Sequence, residues 1–292
     1  MSSPTPRAIF AIAAVALAVI AALVFAPHRV VSSRADSDSV PPPVVTSAVT
    51  ATAALSGGAV ISLEGTRLDE VTDAKVGGVR AQFTATSATS ATVVVPPAAT
   101  YDAGTASVEL WDGAGKVESA GIEVVYEAET AVDQQMAYAF DHWNDYNLEQ
   151  YGNFNDWGGD CMNFVSQTLV ARGWQPTDDW FNDAQEDWAP AFVSATSFDE
   201  WLRSHPEYGA TTLTLDQRDQ VKIGDVVLFD WDGDGSLDHA QVVSRVTTRA
   251  DGSIRIAMVG HNVDTDYRDL DVALSPKGQG QENATAFFWS IP

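Results

Sequence analysis

The sequence predicts a multidomain chain: an N-terminal membrane helix, a small β-sandwich, and an α+β domain whose helices precede an antiparallel sheet. Three observations predict it. Residues 8–26 form an unbroken apolar run. Residues 53–127 carry short alternating strands between Gly, Pro and Asp turns. After residue 128, helical spacing comes first and apolar strands follow.

The run "AIFAIAAVALAVIAALVFA" follows Arg7 and ends at Pro27. As a helix it would be about 28 Å long, close to the thickness of a bilayer core. Residues 1–27 therefore read as an uncleaved signal anchor or a cleaved signal peptide. Either one exports the rest, leaving the protein extracytoplasmic, membrane-anchored or secreted. Residues 28–52, rich in Ser, Pro, Val and Thr with three prolines at 41–43, read as an extended linker. The chain has 292 residues, 40 of them acidic against 16 basic, for a net charge of -24. That excludes a nucleic-acid partner, which needs clustered Lys and Arg. Its single cysteine excludes an internal disulfide and a cysteine-built zinc site.

In residues 53–127, "GGAVISLEG", "ATVVVPP", "TASVELWDGAGK" and "IEVVYEA" have strand grammar, with "WDGAGK" as a hairpin turn. From 128 to 292, Val132, Met136, Ala139, Phe140 and Trp143 have the spacing of an amphipathic helix. A second helix starts at Cys161, after Gly158-Gly159, with Asp160 as its N-cap and Gly173 as its stop. Another helix is expected near 198–202. Strands are expected at 225–230, 240–246, 254–260 and 286–291. The tryptophans at 174, 180, 188 and 201 read mainly as core.

Cys161 is the candidate nucleophile. In the first helical turn, backbone N–H groups and the helix dipole favour a thiolate. A thiol nucleophile needs a base. His239 opens the strand "HAQVVSRV", and His261 ends the next one in "MVGHNVD". A helix-borne Cys161, a strand-borne His239 and an orienting His261 or Asn262 make a papain-like arrangement. His261 is the slightly preferred orienter. The Cys161 N–H is one candidate oxyanion donor, and the Asn155 amide is either the other or an ordinary loop asparagine.

"DWDGDGSLDHAQ", residues 230–241, places Asp230, Asp232, Asp234, Ser236 and Asp238 at positions 1, 3, 5, 7 and 9 of a calcium-loop pattern. Gln241 stands where that pattern has a bidentate Glu, and a strand follows instead of a helix. The segment is either a structural calcium site or a solvated acidic hairpin tip. No cofactor is required for the chemistry.

"GGDCMNFVSQTLVARGW", "GDVVLFDWDGDGSLDHAQVVS" and "GHNVD" together resemble the bacterial putative amidase domain family, a branch of the papain-like peptidase and amidase superfamily. The resemblance spans roughly 132–290 and implies that Cys161 is the nucleophile and His239 the base. Met162 departs from the small polar residue more usual there. Residues 53–127 resemble an immunoglobulin-like IPT/TIG domain through Gly57, Gly58, Gly65, "VGG" at 76–78, Phe83, Val95-Pro96, Gly104 and Tyr126. The expected function is hydrolysis of amide bonds through a thioester, in a peptide or peptidoglycan-like substrate. The alternatives are a catalytically silent module binding wall peptides and a papain-like acyltransferase.

Overall fold

The structure is a computed structural model that describes residues 41–118 and 121–292. The apolar run at 8–26, and with it the signal-anchor expectation, lies outside the described residues. Among the described residues, no helix is long and apolar enough to cross a membrane.

The first domain is built from β1 (Val44–Ala48), β2 (Ala51–Ala54), β3 (Val60–Thr66), β4 (Asp73–Val76), β5 (Val79–Ala85), β6 (Ser90–Val94), β7 (Gly104–Trp111) and β8 (Glu123–Glu127). Hydrogen bonds link them in the order β1-β3-β6-β5-β4-β7-β8-β2. Alternation sends Ile61 and Leu63 of β3, Ala91 and Val93 of β6, and Val108 and Leu110 of β7 into one interior. The expected linker ends sooner than 52. Val44–Ala48 pairs with β3, and Ala51–Ala54 runs parallel to β8. These small, polar stretches carry little hydrophobic signal of their own; they are strands because backbone groups of their neighbours pair with them.

The second domain begins with α1 (Ala131–His142), α2 (Leu148–Tyr151) and α3 (Cys161–Ala171). Next come the short pair β9 (Asn182–Asp183) and β10 (Asp187–Trp188), then α4 (Pro190–Val193) and α5 (Ala195–Ser204). The chain continues through β11 (Thr211–Leu213), β12 (Val226–Asp230), β13 (His239–Thr248), β14 (Ile254–Gly260), β15 (Thr265–Asp269), α6 (Leu270–Leu274) and β16 (Thr285–Ser290). One sheet has the order β11-β16-β12-β13-β14-β15, with every neighbouring pair antiparallel. The helices-then-strands order expected from the sequence is present.

β12 is buried along its whole length because both sheet faces are covered. Val226, Leu228, Ala240, Val242 and Val259 share a core with Phe164, Val165 and Leu169 of α3. Val227, Phe229, Val243, Ile256 and Met258 pack on the other face with Leu270 and Ala273 of α6. Every residue of α3 from Cys161 to Leu169 is buried, because α1, α4, α5 and the sheet surround it.

The cluster on the α3 face continues into the sandwich, so one core spans both domains. Polar groups fasten the same junction. Thr130 and Asp133 form a capping box at the start of α1. The Asp133 carboxylate is fully buried and also accepts the Ser56 N–H of the sandwich at 2.7 Å. Its other oxygen accepts the N–H groups of Thr130 at 2.9 Å and Glu129 at 3.0 Å. The Tyr101 hydroxyl donates to the Ser244 carbonyl, and its ring meets Phe140 at 4.8 Å.

Burial opposes ionisation of Asp133, but the Ser56, Thr130 and Glu129 donors outweigh it and hold its carboxyl below the usual range. Its stabilising contribution is therefore complete above the ordinary Asp value near 4 and is lost as pH falls through the lower folded value. Asp133→Ala should cost about 2–4 kcal/mol, from a lost cap and stranded N–H donors. Urea unfolding at pH 7 and at pH 3 measures this, and the gap between wild type and variant should narrow at the lower pH.

Candidate active site

Cys161 is the first residue of α3 and is 8% exposed. Gly158 and Gly159 lead into it at φ 116° and 131°, in the left-handed region that favours glycine. A Cβ on Gly159 would also come within 3.1 Å of the Asn262 amide. The two glycines let the chain turn tightly enough to set Cys161 against β13.

Asp160 holds the N-cap position, but its carboxylate does not cap the helix. One oxygen accepts the Phe154 N–H at 2.8 Å and the Asn163 amide at 3.0 Å. The other meets His261 Nδ1 at 2.6 Å, with both side chains fully buried. The uncapped helix start leaves N–H groups for the sulfur. Ala240, Met162 and Cys161 itself direct backbone N–H groups at the thiol. They favour the thiolate, as the helix-start position led us to expect, but burial outweighs them. The thiol is pushed up to about 11. The resting group is the neutral thiol.

His261 was expected to orient His239, and the structure gives it other partners. Its Nδ1 meets Asp160, and its Nε2 donates to the His142 carbonyl at 2.8 Å. Its ring stacks on Tyr146 at 3.6 Å and touches Phe164 at 4.3 Å. Neither ring nitrogen is left for a second histidine. Asn262 sits at φ 71° and accepts the Asp160 N–H at 2.8 Å, while its amide donates to Asn155 Oδ1. The Asn155 amide in turn donates to the Tyr146 hydroxyl at 3.4 Å, not toward the sulfur. Asn155, Asn262, Asp160 and His261 thus form one hydrogen-bonded chain beside Cys161.

His239 stands apart from that chain. It pairs with Phe229 across β12 and β13, and its ring lies 5.8 Å from Phe229 and 5.7 Å from Trp231. Strand alternation puts its side chain on the face opposite Ala240, whose N–H reaches the thiol. Among the described residues, no hydrogen bond joins His239 to Cys161. Its Nε2 is buried without a partner, and so are both amide atoms of Gln241 and Nη1 of Arg268. Burial, reinforced by Arg268, pushes His239 down to about 3, so its ring is neutral. Sequence reasoning missed Asp160 as the partner of His261, because an Asp before a helix reads first as a cap. It also missed the Ala240 N–H, which no side-chain pattern marks.

In the acidic loop, oxygens of Asp230, Asp232 and Asp238 lie within 4.8 Å of one another. Asp234 is not in that group; its carboxylate accepts the Ser236 N–H at 2.7 Å. Asp230 accepts the Gly233 and Gly235 N–H groups, and Asp238 accepts that of Trp231.

The family model described as Putative amidase domain matches residues 126–289, more than half of the chain. The chain belongs to that family. An IPT/TIG domain model matches residues 43–123, directly before the amidase domain. The uncharacterized protein YhbB of Bacillus subtilis (strain 168) is 28% identical over 148 residues, which cover 49% of this chain and 45% of that protein. The aligned region thus spans less than half of the relative's length. Among solved structures, SGBP-B of the Bacteroides ovatus mixed-linkage glucan utilization locus, in complex with a heptasaccharide, gives a TM-score of 0.25. It is 11% identical over 85% of this chain and 50% of its own. The titin M10–obscurin-like 1 Ig complex gives 0.19 at 14% identity, over 30% and 87% of the two chains. Scores this low carry no argument about the fold of the amidase domain.

Asp160 joins loop, helix and β14 from a fully buried position, so its loss should be felt across the amidase domain. Asp160→Ala strands the Phe154 N–H and the His261 ring nitrogen, at an expected cost of about 2–4 kcal/mol. Thermal unfolding followed by near-UV circular dichroism measures it. A change under about 0.5 kcal/mol would show that the pair is not a structural hub.

Proposed function

We propose that the protein is an amidase that works through Cys161. Family membership supplies the bond class. The cysteine reading is carried by one observation: the chain's single thiol stands at a helix start with three backbone N–H groups directed at its sulfur. In this mechanism the sulfur attacks an amide carbonyl carbon as the thiol proton passes to a base. The C–N bond breaks, the departing amine takes that proton, and a thioester remains. Water, giving a proton to the same base, then splits the thioester to acid and thiol.

His239 is the proposed base. Its neighbour Ala240 contacts the sulfur through its N–H, and its Nε2 has no partner, whereas both nitrogens of His261 are engaged. Burial keeps it neutral, the form a base requires. Proton transfer requires the first residue of β13 to turn from the Phe229 face toward the Ala240 face. The papain-like reading of the fold rests on this same pairing. Asn262 and Asn155 act in it as positioning residues that fix Asp160, and the Cys161 N–H is the proposed oxyanion donor. The proposed substrate is a peptide or peptidoglycan-like amide met outside the cytoplasm, a location that rests on the apolar run at 8–26.

The resting separation of thiol and His239 favours a second reading, a silent module that binds such peptides. Amine release from purified peptidoglycan and from model amides, read by mass analysis, decides between them. Wild type should release amine, and Cys161→Ala should lower the rate by about a thousandfold or more with the melting temperature unchanged. Binding by wild type with no release would leave the silent module standing.

The proposal includes a structural calcium ion held by Asp230, Asp232 and Asp238, whose grouped carboxylate oxygens suit a hard cation. It would stiffen the turn that leads into His239. Calcium should raise the melting temperature, by about 2.7 kcal/mol of stability at a hundredfold excess over Kd, with magnesium a poor substitute. Asp232→Asn should remove that response. Calorimetric titration of chelator-treated protein reads the binding, and the absence of heat at millimolar calcium would leave the loop an acidic tip.

A further inference from the structure

Arg245, Thr247, Arg255, Ala257 and Tyr267 line an open hollow of about 110 Å³. Arg245 faces Ala257, and Thr247 faces Arg255, across β13 and β14. The intervening Ile256 points to the other face, into the α6 core. The hollow therefore opens on the face that α3 covers nearer the thiol. Five residue steps along β13 lead from Ala240 to Arg245, about 16 Å at about 3.3 Å per residue. It is not the site of Cys161.

The two arginines differ. Arg255 is paired with Asp269 at 2.6 Å. Arg245 has no carboxylate partner among the described residues, in a chain with 40 acidic and 16 basic side chains. Its guanidinium lies 4.3 Å from the Tyr267 ring centroid. Nη2 donates to the Tyr267 hydroxyl at 2.7 Å and to the Ala98 carbonyl of the sandwich at 3.4 Å. Nε is buried and has no partner. A guanidinium carries five donors, and a buried one left unpaired is costly. The aromatic ring and the sandwich loop fix the group in place with no carboxylate beside it. Planar, fixed guanidinium groups are suited to oxyanions.

We propose that this hollow is a binding site for a small oxyanion, the carboxylate of a peptide or inorganic phosphate. Arg245 supplies a fixed guanidinium charge with no carboxylate partner, Arg255 adds charge at the rim, and Thr247 adds a hydroxyl. Because Arg245 also reaches Ala98, the bound anion completes a junction between the two domains. This proposal stands independently of the amidase reading.

The test is titration calorimetry on the full chain at low ionic strength, with N-acetylalanine, its C-terminal amide, and inorganic phosphate as probes. At least one anion should bind saturably at one site, and the neutral amide should not. Whether the carboxylate or the phosphate binds more tightly identifies the source. Thr247→Glu places a carboxylate in the hollow from an exposed position, and it should weaken anion binding at least tenfold without lowering the melting temperature. Arg245→Lys keeps the charge but loses the fork, and it should weaken binding as well. No saturable binding by either anion, binding of the amide as tight as the acid, or unchanged affinity in Thr247→Glu would overturn the proposal.

Discussion

The arrangement around the thiol depends on the buried carboxylate of Asp160. It has no exposure, yet both of its oxygens find donors: the Phe154 N–H, the Asn163 amide and the His261 ring. Its own N–H goes to Asn262. A buried carboxylate tolerates removal from water only when donors replace the lost hydration. Those donors come from the loop before α3, from α3 itself and from the end of β14. Satisfying one carboxylate therefore fixes where the helix begins relative to the sheet. Cys161 follows directly in sequence, so its placement against Ala240 is a consequence of the same constraint.

Much of this was legible in the sequence. The spacing of Val132, Met136, Ala139, Phe140 and Trp143 reads as a helix, and α1 spans Ala131–His142. The paired glycines and Asp160 mark the start of α3. Apolar runs mark β12, β14 and β16. What remained illegible has specific causes. β15 is Thr-Asp-Tyr-Arg-Asp, with every residue half-buried, so no alternation announces it. β1 and β2 are short and built mostly of small residues. The face of His239 depends on register, and a shift of one residue along a strand sends a side chain to the opposite side. Spacing between Cys161 and His239 carries no information about that choice.

The shared core between the domains was also hidden from composition. A shift from strand grammar to helix grammar near residue 128 reads as a boundary between independent units. At that boundary the structure puts Asp133, which ties α1 to Ser56, and Tyr101, whose ring and hydroxyl both serve the neighbouring domain. The Tyr267 hydroxyl donates to the Ala99 carbonyl at 2.7 Å, and Arg245 reaches Ala98, so the loop from 98 to 101 is held by β13, β15 and α1 together. A sandwich loop that contributes this many partners is part of the amidase domain's support as well as a fold of its own.

The electrostatics of the site follow from this burial. A helix start and three N–H groups ordinarily favour a thiolate, yet the same packing that aims them at the sulfur removes water from it, and the thiol rises to about 11. His239, on the other face, is driven the opposite way to about 3. Both shifts share a leading cause, since desolvation penalises whichever form is charged. Both shifts disfavour a preformed thiolate–imidazolium pair at rest. In the mechanism proposed above, reaction at Cys161 couples proton loss to carbonyl attack, with the charge appearing only when the substrate brings the carbon that accepts it. An arrangement that withholds charge until substrate is present also keeps the chain's single thiol from reacting with whatever it meets first.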